Sequence, residues 1–167
     1  KRATIAVTVD SEETLHGISN AASEAGLLLN TLVECDTGAE RAGVQNSEEV
    51  VALARKVKSS KGVKLKGLLT FRGGAPNLEY VKKTSVYFEE SLKALSKEGI
   101  EIETISAGGT VYAPLAWPGV KPYGVTECRP GVYAYYDRVK VGFGVATQND
   151  CAMKVITSVV SRPHSTR

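Results

Sequence analysis

Apolar residues in this chain fall into short continuous runs, separated by stretches where they recur every three or four positions. Ala3-Thr4-Ile5-Ala6-Val7-Thr8-Val9 alternates and is β-branched, the pattern of a strand. Asp10-Ser11-Glu12-Glu13 follows with a capping residue and an acidic first turn. Leu15, Ile18, Ala22 and Ala25 then recur at helical spacing up to Gly26. Leu27–Cys35 contains a second strand, and a helix starting at Asn46 or Ser47 sets Val50, Val51, Ala54 and Val57 on one face before Gly62. Leu65–Phe71 is the third strand, Leu78–Lys97 a long helix stopped at Gly99, and Ile100–Ile105 the fourth strand. Beyond it the rhythm changes. Trp117-Pro118-Gly119 marks a loop, Gly124–Glu127 a short strand, and Arg129-Pro130-Gly131 a turn into Val132–Tyr136. Ala152–Val160 is a long β-branched stretch ahead of a polar tail.

Successive strand–helix units argue for a parallel sheet with helices packed outside it. The strands are apolar without strict alternation, as expected when both faces of a sheet are covered. A closed eight-stranded barrel takes about 250 residues, and this chain has 167. Two architectures therefore remain: an open doubly wound sheet, or part of a barrel. Ala152–Val160 breaks the rhythm and reads as the first strand of something else. Lys1 leads almost at once into a strand, so the chain is expected to be a section of a longer protein.

Composition narrows the function. Apolar residues make up 43% and charged residues 23%, ordinary values that exclude disorder and collagen-like structure. No run approaches the roughly 18 apolar residues of a membrane span, and no signal-peptide pattern is present. The 21 basic and 18 acidic residues are spread along the chain, giving a net charge of only +3, without the clustered Lys/Arg that nucleic acid requires. Cys35, Cys128 and Cys151 are odd in number and widely spaced, which fits neither a disulfide framework nor a zinc site. Buried small hydrophobes and a reducing, cytoplasmic setting are expected instead. His16 lies on a helix and His164 in the tail, so no Ser/His/Asp arrangement can be built.

In either α/β architecture ligands bind at the carboxyl ends of the strands, on the loops that follow. That rule selects Asp36–Gly43, Arg72–Pro76, Ser106–Thr110 and Arg129–Val132, all glycine-bearing. Ser106-Ala107-Gly108-Gly109-Thr110 carries the strongest single signal. Adjacent glycines let backbone N–H groups approach a phosphate, and Thr110 adds a hydroxyl donor. The alternative is a turn that simply needs glycine. Neither the Walker motif nor the dinucleotide fingerprint is present. Gly131 is a second candidate for backbone donation, Arg41 and Arg129 both follow apolar strands, and Asp36 has the side chain to brace its own loop.

Together these segments resemble one family. Asp36-Thr37-Gly38-Ala39-Glu40-Arg41-Ala42-Gly43 is similar to the Asp-Thr-Gly-x-x-Arg-x-Gly segment of the fold-type III pyridoxal phosphate enzymes, the alanine racemase-like barrels. Gly67–Gly73 sits where these carry a strand ending in an aromatic residue or histidine, followed by glycine. Ser106–Thr110 and the segment Glu127–Asp137 resemble the D-threonine aldolase and D-serine dehydratase branch. Val159-Val160-Ser161-Arg162-Pro163 looks like the entry to that branch's C-terminal β-domain. Leu69, Phe71, Arg72 and Pro76 depart from residues that are Tyr or His in some members, and Arg129 resembles the racemase branch, where it faces the pyridine nitrogen.

The resemblance implies a partial parallel β/α barrel of TIM type over residues 1–148, with a C-terminal β-domain beginning at 149–167. It implies a pyridoxal phosphate-dependent lyase acting on small D-hydroxy amino acids, with no role for nucleic acid or membrane. Cofactor binding is expected from Arg41, Ser106, Gly108, Gly109, Thr110, Arg129, Gly131 and Val132. The lysine that anchors the cofactor is expected upstream, and a divalent metal is expected on residues outside this chain. The chain alone is therefore expected to be inactive, and the full-length protein to be a homodimer. A non-enzymatic pyridoxal phosphate-binding barrel and a plain α/β phosphate-binding module are the alternatives.

Overall fold

The computed structural model describes residues 3–71, 74–75, 77–112 and 124–165. Arg72, Gly73, Pro76 and the loop expected at Trp117-Pro118-Gly119 lie outside the described residues. The chain divides into two compact units, Lys1–Gly131 and Val132–Arg167, a division earlier than the 148/149 boundary expected from sequence.

The first unit alternates strand and helix: β1 (Ala6–Val9), α1 (Glu12–Glu24), β2 (Leu29–Glu34), α2 (Ser47–Ser59), β3 (Val63–Leu69), α3 (Leu78–Lys97) and β4 (Thr104–Ser106). Side-chain caps set the helix starts. Ser11 accepts from the Thr14 amide, Asn46 from that of Glu49, and Asn77 from those of Glu79 and Tyr80. Glycine sets the stops of α1 and α3. Gly26 and Gly99 take φ of 64° and 63°, and the next amides, of Leu27 and Ile100, reach back to the carbonyls of Ala22 and Leu95. Ile100 is thereby committed to closing α3, which is why β4 starts at Thr104 and not at Ile100.

All four strands are parallel and pair in sequence order, β1-β2-β3-β4. The neighbouring helices pack on one another, α1 on α2 and α2 on α3. Consecutive order with no reversal is barrel winding; a doubly wound sheet reverses its strand order at a switch point. The open alternative is thereby set aside. Gly124–Glu127, expected as a strand, contributes only a parallel bridge from Glu127 to Ser106.

Register divides the sheet into two faces. Val9, Val33, Leu68 and Ile105 form one row across the four strands, each at most 5% exposed. Cys35, two residues beyond Val33 and on the same face, meets Tyr87 of α3, so this row lies beneath the helices. The alternate row, Glu34-Leu69-Ser106, points away from them. At the centre of that second face Gly67 comes so close to β4 that a Cβ built on it would lie 1.9 Å from the Thr104 carbonyl oxygen.

The second unit is short and mostly irregular. A 3₁₀ turn at Val132–Ala134 is followed by α4 (Arg138–Gly142), capped by Asp137, and a further 3₁₀ turn at Gln148–Asp150. The Ala152 amide donates to the Tyr135 carbonyl. Ala152–Val160, expected as a strand, forms no ladder among the described residues. Met153, Val155, Ile156, Val159 and Val160 are 83–99% exposed. Strand pattern alone does not make a strand, which also needs a neighbour to bond.

Gly67→Ala should force β3 and β4 apart and lower stability by at least the roughly 1–3 kcal/mol typical of an overpacked core. Urea unfolding should show this as a lower midpoint at unchanged m-value.

Candidate functional site

The loop after β2 is built around a carboxylate. Asp36, 7% exposed, accepts at one oxygen from the amides of Gly38, Ala39 and Glu40 at 2.8, 2.7 and 3.2 Å, and at the other from Gln45 at 3.4 Å. Burial opposes its ionisation, but the amides and Gln45 together hold its pKa below the ordinary value. The loop's far end is fastened as well. Val44 donates to the Glu34 carbonyl and accepts from the Asp36 amide, both at 2.9 Å. Gly43, at φ 116°, passes so close that a Cβ there would lie 2.4 Å from the Asp36 nitrogen.

From this pinned loop Arg41 reaches back over the sheet. One of its terminal nitrogens lies 3.4 Å from the Glu34 carboxylate, and its guanidinium carbon sits 4.7 Å from the centre of the Phe71 ring. Glu34 and Phe71 both belong to the helix-free face: Glu34 pairs with Leu69, and Phe71 stands two residues beyond.

A second arginine arrives at the same place from the other side. Thr126 donates its amide to the Ile105 carbonyl, and Ala107 donates to the Glu127 carbonyl, which aligns the segment 124–131 with the end of β4. Arg129 then donates through Nε to Ser106 Oγ at 2.8 Å and through Nη2 to the Thr70 carbonyl at 2.5 Å. Its guanidinium carbon is 5.9 Å from the centre of the Phe71 ring. Burial draws its pKa below the ordinary arginine value; attraction from Glu34, Cys128 and Glu127 works in the other direction. An arginine so placed remains a cation.

The glycine loop lies directly alongside. A Cβ built on Gly109 would be 3.7 Å from the Arg129 carbonyl oxygen, and one on Gly108 would be 3.1 Å from Cys128 Sγ. Among the described residues the amides of Gly108, Gly109 and Gly131 donate to no partner. Thr110 is buried, at 9% exposure. The structure thus gathers Arg41, Ser106, Gly108, Gly109 and Arg129 at one edge of the first unit, with Thr110 and Gly131 on the same two loops. Val132 belongs to the second unit, where its carbonyl accepts from the amides of Tyr135 and Tyr136.

Sequence reasoning passed over Glu34, Thr70 and Phe71 as site residues. Phe71 did carry a signal, an aromatic residue at a strand's carboxyl end. Glu34 and Thr70 carried none, because their roles come from register. The buried Cys35 thiol is pushed up to about 12 by burial, opposed by Tyr87, and is chemically inert there. Lys64 and Lys66 pair with Glu103 near the start of β3, away from this edge. Among the described residues no three His, Cys, Asp or Glu side chains converge as metal ligands, and no helix is long and apolar enough to cross a membrane. Two cations against one carboxylate, flanked by unpartnered amides, form an arrangement that attracts and orients an anion.

Comparison with known proteins points to one family. The family described as alanine racemase, N-terminal domain, matches residues 1–139. D-threo-3-hydroxyaspartate dehydratase of Delftia sp. (strain HT23) is 29% identical over 160 residues, covering 91% of this chain and 41% of the relative. D-threonine aldolase of Arthrobacter sp. is 32% identical over 143 residues, covering 81% and 37%. Among solved structures, D-threonine aldolase from Filomicrobium marinum superposes with a TM-score of 0.75 at 26% identity, covering 89% of this chain and 41% of that one. The chain spans about two fifths of the length of the curated relatives it matches.

Asp36→Asn should cost about 1.5–3 kcal/mol, the worth of hydrogen bonds to a charged group. Because the folded pKa of Asp36 is depressed, its contribution is complete above the unfolded value near pH 3.9. It is lost as pH falls through the folded value. Urea midpoints of wild type and Asp36→Asn should differ at pH 6 and converge as the solution is acidified.

Proposed function

The chain belongs to the alanine racemase N-terminal domain family, and from that membership we propose that it is the cofactor-holding part of a pyridoxal phosphate-dependent lyase acting on D-configured 3-hydroxy amino acids. The observation that carries the reading is the edge where two glycine loops, with amides unpartnered among the described residues, meet an arginine fixed by Ser106 and Thr70. The names of the relatives, a D-threo-3-hydroxyaspartate dehydratase and a D-threonine aldolase, support the substrate class.

The residues present fit pyridoxal phosphate. A phosphate dianion needs several N–H donors at close range with no side chain in the way. The amides of Gly108, Gly109 and Gly131 meet that requirement, and the Thr110 hydroxyl is assigned to the same phosphate. Among the described residues nothing lies within 3.4 Å of a Cβ built on Gly109 or Gly131. Bound there, the cofactor supplies an electron sink for the bond broken at the substrate's α-carbon.

The chain's own residues then orient and tune. Arg129 is assigned to the ring nitrogen, where a fixed cation disfavours a second positive charge and keeps that nitrogen unprotonated. Arg41, anchored on Glu34, is assigned to the flank of the ring, and Phe71 gives both guanidiniums a flat surface to stack on. The lysine that anchors the cofactor and the ligands of a divalent metal are assigned to sequence outside these 167 residues. Lys64 and Lys66, engaged with Glu103, are poor candidates for the anchor. The reading also includes a homodimer, a C-terminal β-domain entered near residue 149, and a cytoplasmic location, the last supported by three free cysteines.

Gly109→Val tests the phosphate assignment cleanly, because the backbone there is not left-handed and the nearest atom to a Cβ is 3.7 Å away. The fold should be retained, while affinity for pyridoxal phosphate, followed by fluorescence titration, should drop at least about tenfold, the equivalent of one charge-assisted hydrogen bond. Arg129→Gln should change the absorbance of bound cofactor more than its affinity. An unchanged dissociation constant in Gly109→Val would refute the assignment. In a polypeptide containing this chain, D-threonine should be split to glycine and acetaldehyde, or a D-3-hydroxy amino acid should lose its hydroxyl and release ammonia.

A further inference from the structure

We propose that Thr37, Thr70 and Tyr80 form a buried hydroxyl relay whose task is to position Arg129. Thr37 Oγ1 lies 2.8 Å from Thr70 Oγ1 and 2.6 Å from the Tyr80 hydroxyl, and the three residues are 7%, 2% and 7% exposed. They come from three different elements: the loop after β2, the end of β3, and the first turn of α3. A hydroxyl has one donor and two acceptor sites, so Thr37 is well suited to sit between two others.

Thr70 is where the relay meets the site. Its amide donates to the Ser106 carbonyl at 3.0 Å, and its own carbonyl accepts from Arg129 Nη2. Its side chain is held by Thr37. The two peptide groups that flank Thr70, and its side chain, are therefore each held, by β4, by Arg129 and by the relay. Arg129 Nε meets Ser106 Oγ, and Ser106 is the residue whose carbonyl Thr70 holds, so Arg129, Ser106 and Thr70 close a loop to which Thr37 is tied. An arginine carries a fork of donors on a long, flexible stem. Anchoring two of its nitrogens on one rigid carbonyl and one serine fixes the plane of the guanidinium and leaves its remaining donors to a ligand. Thr37, Thr70 and Tyr80 are positioning residues that act through Arg129.

The orientation of Arg129 in the free chain is independent of the cofactor reading, whereas its consequence for pyridoxal phosphate rests on that reading. The experiment separates the two. The Arg129 Nε–H resonance is assigned in the 167-residue chain by its loss in Arg129→Gln, and its exchange with solvent is measured in wild type, Thr37→Val, Thr37→Ser and Tyr80→Phe. Thr37→Val should speed exchange at least about tenfold by freeing the anchor. Thr37→Ser, which keeps the hydroxyl, should restore it, and Tyr80→Phe should fall between. Exchange in Thr37→Val within twofold of wild type would overturn the relay. Should Thr37→Val fail to fold, Tyr80→Phe decides: faster exchange supports the relay, and unchanged exchange overturns it.

A titration with pyridoxal phosphate then gives the coupling. Changes in the absorbance of bound cofactor in Thr37→Val and Arg129→Gln should be non-additive in the double variant, since one acts through the other. Additive changes would mean that Thr37 acts independently of Arg129, and would overturn the proposal. A full-length wild-type protein that fails to bind pyridoxal phosphate would overturn the function proposed above, and the exchange rates would still decide the relay.

Discussion

The close passage of β3 over β4 sets the rest of the site. Parallel pairing brings every strand's carboxyl end to one edge, and register decides which residues meet there. Gly67, with no side chain, lets β3 lie against Thr104, and three residues on, Thr70 donates to the Ser106 carbonyl. That contact levels the ends of the two strands. It puts the Thr70 carbonyl and the Ser106 hydroxyl near enough for one guanidinium to take both. A one-residue slip would turn Ser106 to the helix-covered face and Arg129 would lose its seat.

Two cations at one edge repel, and the surroundings show how they are kept there. The Phe71 ring accepts both guanidiniums on its π-surface, and Glu34 neutralises Arg41 directly while attracting Arg129 at longer range. Asp36 supplies the remaining restraint. By collecting three amides it stiffens the loop that carries Arg41. The net result is an edge that is positively charged, partly desolvated and preorganised, the three conditions under which hydrogen bonds to an anion are strongest.

Much of the fold was legible because local chemistry determined it. Ser11, Asn46 and the stops at Gly26 and Gly99 mark helix ends through bonds made within a few residues. Strand ends were less legible because they depend on a partner distant in sequence. β3 begins at Val63 and not Leu65, since Leu29 pairs with Val63 and donates to Gly62. Ala152–Val160 has the composition of a strand and no described neighbour to make it one. The glycine loops and both arginines could be selected from the rule that ligands bind at strand ends. Their convergence on Phe71, and the service of Glu34 and Thr70, follow from register and were invisible in the linear sequence.

The central claim is that the amides of Gly108, Gly109 and Gly131 form one anion seat beside Arg129. Titrating the isotopically labelled chain with pyridoxal phosphate, and following backbone amide resonances, tests it most directly. The account predicts that these three amides shift downfield together along one saturating curve, with the Arg129 Nε–H moving at the same midpoint. Saturable shifts confined to other parts of the chain, such as the N-termini of α1 to α3, with these three amides unmoved, would contradict it.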